Sequence, residues 1–319
     1  MIQVENLEKR FGRIHAVRSV SFSVQKGDVL GFLGPNGAGK STSMRMITGF
    51  LPPSGGKVTI GGFDIEEQPE DAKRLFGYLP ENAPLYPDMT VEAFLRFACA
   101  VKGLPADQQE QSVETAIATC HLEKVRHQLI DTLSKGYRHR TCFAQAILGD
   151  PPILILDEPT DGLDPNQKHE MRQLIKTMGQ TKAIIVSTHI LEEVEAICNR
   201  VIIIDRGQLV FNGTPAELLA KAPETGRVIV KASNADFPAL EKALAALPSA
   251  HKVMLLGQQG AKLRLAVEPK HGADGLAAQV ARKLCELKVE FEELHTDSGR
   301  LDEVFRNLTS SDNSTEASK

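Results

Sequence analysis

Two rhythms of apolar residues run through the first part of this chain. "IQVENL", "SVSFSV" and "GKVTIGGFDI" alternate apolar and polar positions, the pattern of half-buried antiparallel strands. "VLGFLG", "ILILD", "AIIVST" and "VIIID" are instead short, solid apolar runs, which suit parallel strands covered on both faces. Helical periodicity separates them in "GKSTSMRMITGFL", "TVEAFLRFACAVKG", "ADQQEQSVETAIATCHL" and "YRHRTCFAQAILGD". The alternation predicts an α/β domain over residues 1–222, with an antiparallel β part and a helical block near 88–150.

After "GTPAELLAKAPETG" the pattern changes. "RVIVKA", a helix in "FPALEKALAAL", a hairpin in "HKVMLLGQQGAKLRLAV", a helix in "GLAAQVARKLCEL" and a strand in "KVEFEELHT" follow in order. That is β-α-β-β-α-β, a ferredoxin-like α+β order. With a last helix in "LDEVFRNL" it predicts a small second domain over 226–309, before a disordered tail at 310–319.

Composition narrows the partners. The net charge of −4 over 319 residues gives no basic field, so no nucleic-acid partner is expected. The absence of Trp, with 5% aromatic residues, argues against base-stacking platforms. Five scattered cysteines without a C-x-x-C pair fit reduced cytosolic thiols. The charged, amphipathic start "MIQVENLEKRFG" predicts no secretory leader. The apolar runs fall far short of the roughly 18 residues a spanning helix needs, so any membrane work would need another chain to cross.

Candidate chemistry sits where the apolar runs end. "GPNGAGKS" fits G-x-x-x-x-G-K-[ST] from Gly34 to Ser41, between a predicted strand and a predicted helix. Gly34, Gly37 and Gly39 let backbone N–H groups wrap phosphate oxygens. Lys40 supplies a cation to the outer phosphates, and Ser41 a hydroxyl to Mg²⁺. "ILILDE" delivers Asp157 and Glu158 to the carboxyl end of a buried strand, where ligands of open α/β sheets bind. Asp157 can serve the Mg²⁺ shell, and Glu158 can polarise an attacking water. "AIIVSTH" ends another strand at His189, a candidate sensor of the γ-phosphate. "DTLSKGYRHR" looks like a helix start capped by Ser134, with Arg138, His139 and Arg140 in or near a first turn that already carries positive partial charge. Such crowding suggests that an anion is met there.

With these pieces in order, residues 1 to about 220 resemble the ATP-binding subunits of ABC transporters. "GPNGAGKST" resembles their Walker A motif, "ILILDE" Walker B, "LSKGY" the signature, "GLDP" the D-loop and "STH" the switch histidine. The resemblance implies ATP and Mg²⁺ as ligands. It places Asn36, Gly37, Ala38, Gly39, Lys40, Ser41 and Thr42 on the nucleotide, with Ser41, Asp157 and Glu81 around the metal. It makes Phe11, with Val17 beside it, the adenine contact, and Glu158 and His189 the catalytic pair. Leu133, Ser134, Gly136 and Asp164 would face nucleotide across a dimer, so that the signature helix of one subunit completes the site of the other. Lys135 and Tyr137 depart from the usual LSGGQ, and Glu81 replaces the usual Q-loop glutamine.

"GYLPE", "LSKGYRHR" and "GRLDEVFRNLT" resemble the bacterial export-type subgroup, which includes gliding-motility, sodium-efflux and antibiotic-resistance systems. The resemblance implies a second ATPase subunit, identical or related, and polytopic membrane permease subunits as partners. It also implies a peripheral position on the cytoplasmic face, with the loop of Glu81, Leu85, Tyr86 and Met89 contacting the permease. Two other readings compete. A soluble ABC ATPase of ribosomes or DNA usually carries two ATP domains or long coiled coils, and this chain has one phosphate loop. A small-molecule kinase leaves "LSKGY" unexplained.

Overall fold

The computed structural model describes residues 1–81, 84–222, 225–233, 235–260, 262–270, 275–297 and 299–310. The tail expected at 310–319 therefore falls outside them beyond Ser310. The chain divides into two compact units, Met1–Pro215 and Ala216–Lys319.

The first unit runs β1 (Ile2–Phe11), β2 (Ile14–Val24), β3 (Val29–Leu33), α1 (Lys40–Ile47), β4 (Gly55–Ile60), β5 (Phe63–Asp64), α2 (Pro69–Arg74) and β6 (Phe76–Leu79). The helical block follows as α3 (Val91–Val101), α4 (Ala106–Thr119) and α5 (Lys135–Ile147). Then come β7 (Ile153–Asp157), α6 (Pro165–Gly179), β8 (Ala183–Ser187), α7 (Leu191–Ile197), β9 (Arg200–Asp205) and β10 (Gln208–Gly213).

The two apolar rhythms become two sheets. The alternating segments form an antiparallel sheet in the order β2-β1-β4-β5, and the solid runs sit within a six-stranded sheet ordered β10-β9-β3-β8-β7-β6. β3 pairs in parallel with β8 and β9, and β7 with β8 and β6. All five residues of β3, β7 and β8 are buried, which is why none of these strands alternates. One core joins the sheets: Val4, Leu7 and Phe22 pack in a cluster with Phe32, Ile155 and Ile202, and α1 contributes Met44, Met46 and Ile47. The Phe22 and Phe32 rings tilt together at 5.7 Å. α1 is thus held by its apolar side, leaving its N-terminal end at the carboxyl end of β3.

Two strands were not expected from the pattern. β10 is an antiparallel edge on β9. β6 is only four residues long, and Glu81 lies two residues beyond its end. Its Gly77 exists for close approach: a Cβ there would lie 1.9 Å from the Ala146 carbonyl oxygen of α5. The end of α5 is fixed from α3's side too, because Lys102 Nζ donates to the carbonyls of Gln145, Ala146 and Leu148 at 3.1–3.2 Å.

α8 (Pro215–Leu219) lies at the division between the units. The second unit continues with β11 (Val228–Ser233), α9 (Phe237–Ala245), β12 (Ala250–Gln259), β13 (Lys262–Pro269), α10 (Leu276–Glu286), β14 (Glu290–Thr296) and α11 (Leu301–Ser310). Its sheet is antiparallel in the order β12-β13-β11-β14. Val228, Val230, Leu265 and Val267 form a core with Leu240 and Leu244 of α9 and Val280 and Leu284 of α10. Among the described residues no helix is long and apolar enough to cross a membrane.

Candidate functional site

The carboxyl ends of β3, β7 and β8 carry one connected cluster. After β3 the chain wraps through Gly34–Gly39 into α1, and Gly39 turns it with φ 106. A side chain there would be strained, and its Cβ would lie 2.6 Å from the Ala16 carbonyl oxygen. Asn36 and Gly37 are exposed, Ser41 and Thr42 half-buried, and Ala38 is buried. Lys40 is 8% exposed, and its Nζ donates to the carbonyls of Gly34 at 2.6 Å and Pro35 at 3.2 Å. Burial pushes the Lys40 ammonium below its ordinary pKa, opposed by the negative charges of Glu158, Asp157 and Glu81. A desolvated cation beside three carboxylates and a wrapped loop fits a site for phosphate oxygens.

Asp157 ends β7, is 5% exposed and accepts from the Ser187 hydroxyl at the end of β8. Glu158 follows with φ 51, a left-handed conformation that costs about 1–2 kcal/mol for a residue with a side chain. Its N–H donates to Ser187 Oγ at 3.1 Å and to the Ser187 carbonyl at 3.2 Å, so β8 holds the bend. The two Glu158 carboxylate oxygens lie 3.0 Å from His189 Nδ1. Burial pushes the Glu158 carboxyl up, while the His189 hydrogen bond, its charge and Lys40 pull it back. The carboxylate is therefore a stronger base than an ordinary surface one, yet has a ring positioned to bind it.

The other expected residues have varied surroundings. Val17 is fully buried in the core cluster, and its Cγ2 would lie 3.4 Å from a Cβ on Gly39, beside the phosphate loop. Phe11 is 47% exposed, with Lys9 Nζ 5.4 Å from its ring centroid. Leu133 is buried as packing for the start of α5. Asp164 caps α6, accepting from the Gln167 N–H at 3.0 Å. Among Leu85, Tyr86 and Met89, Tyr86 alone is exposed, its ring edge-on to Phe97 at 5.3 Å; the other two are half-buried, so the apolar loop offers less surface than expected.

The basic start of α5 is partly paired within the chain. Ser134 is the N-cap and accepts from the Tyr137 N–H at 3.4 Å. Lys135 reaches Asp161 at 3.5 Å, and Arg140 pairs with Glu170 of α6. Burial, then Lys135, push the His139 imidazole below its ordinary pKa, which favours the neutral ring. Lys135 and Arg140 are thus answered within the chain, while Arg138 stays exposed. Gly136 is buried, and a Cβ there would meet the terminal amide of Gln167 at 2.4 Å.

The pattern of apolar runs gave no role to Ser187, Thr160, Thr188 or Glu193, which bind the strand ends together. Their only signal was position, each within a few residues of Glu158 or His189.

The ABC transporter family matches residues 17–161. The chain is 35% identical over 259 residues to the Nod factor export ATP-binding protein I of Ralstonia nicotianae, covering 81% of this chain and 79% of that one. A solved structure of an ATP-binding subunit of an ABC transporter superposes with TM-score 0.65 at 30% identity, covering 69% of this chain and 92% of that one. A dimeric ATP-binding cassette in a post-hydrolysis state, bound to ADP and Pi, superposes with TM-score 0.61 at 23% identity over 67% of this chain and 98% of that one, a likeness of fold.

Proposed function

Because this chain belongs to the ABC transporter family of ATP-binding proteins, whose members hydrolyse ATP to drive transport, we propose that its strand-end cluster and its signature helix are halves of an ATPase site shared between two subunits. The observation that carries the reading is the Glu158 carboxylate, raised in basicity by burial, bound to His189 at 3.0 Å and within the field of the buried Lys40.

In this reading the Gly34–Gly39 backbone and Lys40 bind the β- and γ-phosphates of ATP, assisted by Asn36, Ala38, Ser41 and Thr42. Mg²⁺ arriving with the nucleotide would meet Ser41 and Asp157, with Glu81 through water, and would supply charge against the phosphate oxygens. Glu158 orients and polarises water, while His189 holds Glu158 and contacts the γ-phosphate. Phe11 offers the adenine a ring face. Ser134 and the Gly136 backbone of the second subunit meet the γ-phosphate from the other side.

The second subunit is read as an identical chain, by analogy with the dimeric cassette of the same fold. The membrane partner is a polytopic permease docked near Tyr86 and Phe97, and the chain sits on the cytoplasmic face through it. Export is the direction, as the name of the Nod factor relative suggests. The second unit is read as ferredoxin-like, on its strand order β12-β13-β11-β14, and as a dimer-stabilising or regulatory domain. The domain limits are read as 1–222 and 226–309, which puts α8 with the first domain although the fold divides at Pro215.

Glu158→Gln tests the assignment. The amide keeps shape and removes the base, so turnover should fall by a factor of about 100 or more while ATP binding is kept and dimers accumulate in Mg-ATP. The rate of the unaltered protein should decline with falling pH from above the ordinary carboxylate pKa, because the base works deprotonated and burial raises its pKa. Normal turnover of Glu158→Gln would remove this residue from the mechanism.

A further inference from the structure

Glu193, in the first turn of α7, is 1% exposed. A buried carboxylate persists only with partners, and its partners here are specific. One oxygen accepts from the Thr160 hydroxyl, and the other from Thr188 Oγ1 at 2.7 Å. Arg172 Nη2 of α6 lies 3.7 Å from the first oxygen. Thr160 is 1% exposed and Thr188 fully buried. Thr160 comes two residues after Glu158, and Thr188 immediately precedes His189. Thr188 Oγ1 also accepts from the Ile190 N–H at 3.0 Å, which fixes the turn that carries His189.

The two loops that meet at Glu158 and His189 are therefore fastened a second time, through one carboxylate behind them. We propose that Glu193 is a positioning residue for ATP hydrolysis: by binding both hydroxyls it fixes the loop after β7 against the loop after β8, and so keeps Glu158 on His189. The proposal rests on the reading of Glu158 and His189 as the catalytic pair. Helix packing alone would require an apolar residue or a loosely held acid at this place. A carboxylate divided between one hydroxyl from each catalytic loop does something packing does not: it makes the position of one loop depend on the other. Arg172 extends the same link to α6, the helix capped by Asp164.

The test compares Glu193→Met with Thr160→Val and Thr188→Val in the full chain. Methionine keeps the volume and accepts from neither hydroxyl, whereas a glutamine N–H could donate to a threonine oxygen and keep the link. Each variant should lower kcat by about tenfold or more, with the KM for ATP changed less than about twofold and the chain still folded at the assay temperature. Thr160→Ser and Thr188→Ser keep the hydroxyl and should restore the rate to within about threefold. Adding Glu193→Met to the double valine variant should cost little more in kcat, because the link is already cut. A Glu193→Met rate within about twofold of the unaltered chain would overturn the proposal. So would rate losses that rise in step with KM and are not relieved by serine, since those mark general destabilisation. Glu158→Gln, measured alongside, separates the two levels. If Glu158→Gln turns over normally, the underlying assignment fails; if it is inactive while Glu193→Met is unimpaired, this proposal alone fails.

Discussion

The strand-end cluster and the start of α5 are both rich in charge, but their charges are organised in opposite ways. Around Lys40 the charged groups face one another across the ends of three strands, and the cation is buried beside three carboxylates. At α5, Lys135 and Arg140 turn toward Asp161 and Glu170 of their own chain, His139 is pushed toward neutrality, and Ser134 is exposed. The first arrangement is a site whose polar groups converge on one point. The second is a capped helix end, aligned and exposed, with no convergent partner among the described residues. On the proposed shared-site reading, the difference says what each half would contribute. What α5 can offer an anion is its Ser134 cap and first-turn backbone, supported by the helix dipole, with the exposed Arg138 near them.

Gly136→Ala sharpens this comparison most, because it separates packing from function at one atom. The added methyl meets the terminal amide of Gln167, which can swing aside, and alanine favours a helix over glycine by about 1 kcal/mol. The isolated chain should keep its Tm or gain slightly. If the Gly136 backbone approaches a partner's phosphate, ATPase activity should nevertheless fall by about tenfold or more. A drop in Tm with activity falling in proportion would make Gly136 a packing glycine only.

The smaller effect belongs to Glu81, at the edge of the strand-end cluster. It is exposed and acts on Lys40 through its charge, so Glu81→Gln should keep activity within about tenfold, or ~1.4 kcal/mol. Steady-state ATP hydrolysis with ATP binding measured in parallel checks it. A much larger loss with binding intact would make this carboxylate a catalytic element beside Glu158.

What could be read from sequence follows the same contrast. β3, β7, β8 and β9 were legible because burial on both faces leaves solid apolar runs, and the carboxyl ends of β3, β7 and β8 carry the candidate phosphate and carboxylate chemistry. β6 was hidden because "FGYL" is short and Gly77 answers to a neighbouring helix, not to strand periodicity. α6 went unread because Met171, Ile175 and Gly179 are the buried positions of a fifteen-residue helix, too narrow a stripe. Val17 was not legible as a core residue: β2 turns it inward, against Gly39 of the phosphate loop. Glu193 was invisible for a different reason, since an acid at a helix start is ordinary until the two hydroxyls it joins are seen.

The most direct test of the shared site mixes two inactive chains. Ser134→Arg spoils the helix start but leaves the phosphate loop able to bind ATP. Lys40→Ala spoils the loop but leaves the helix start intact. In a heterodimer of the two, the nucleotide on the Ser134→Arg chain faces the unaltered α5 of the Lys40→Ala chain, so one composite site is whole and the other doubly broken. The measurement is ATPase activity of the mixture, with heterodimers verified by pulling down one tag and detecting the other. The account predicts activity well above either homodimer, up to about half that of the unaltered protein when one site suffices. Verified heterodimers no more active than the separate variants would contradict independent sites completed across the dimer.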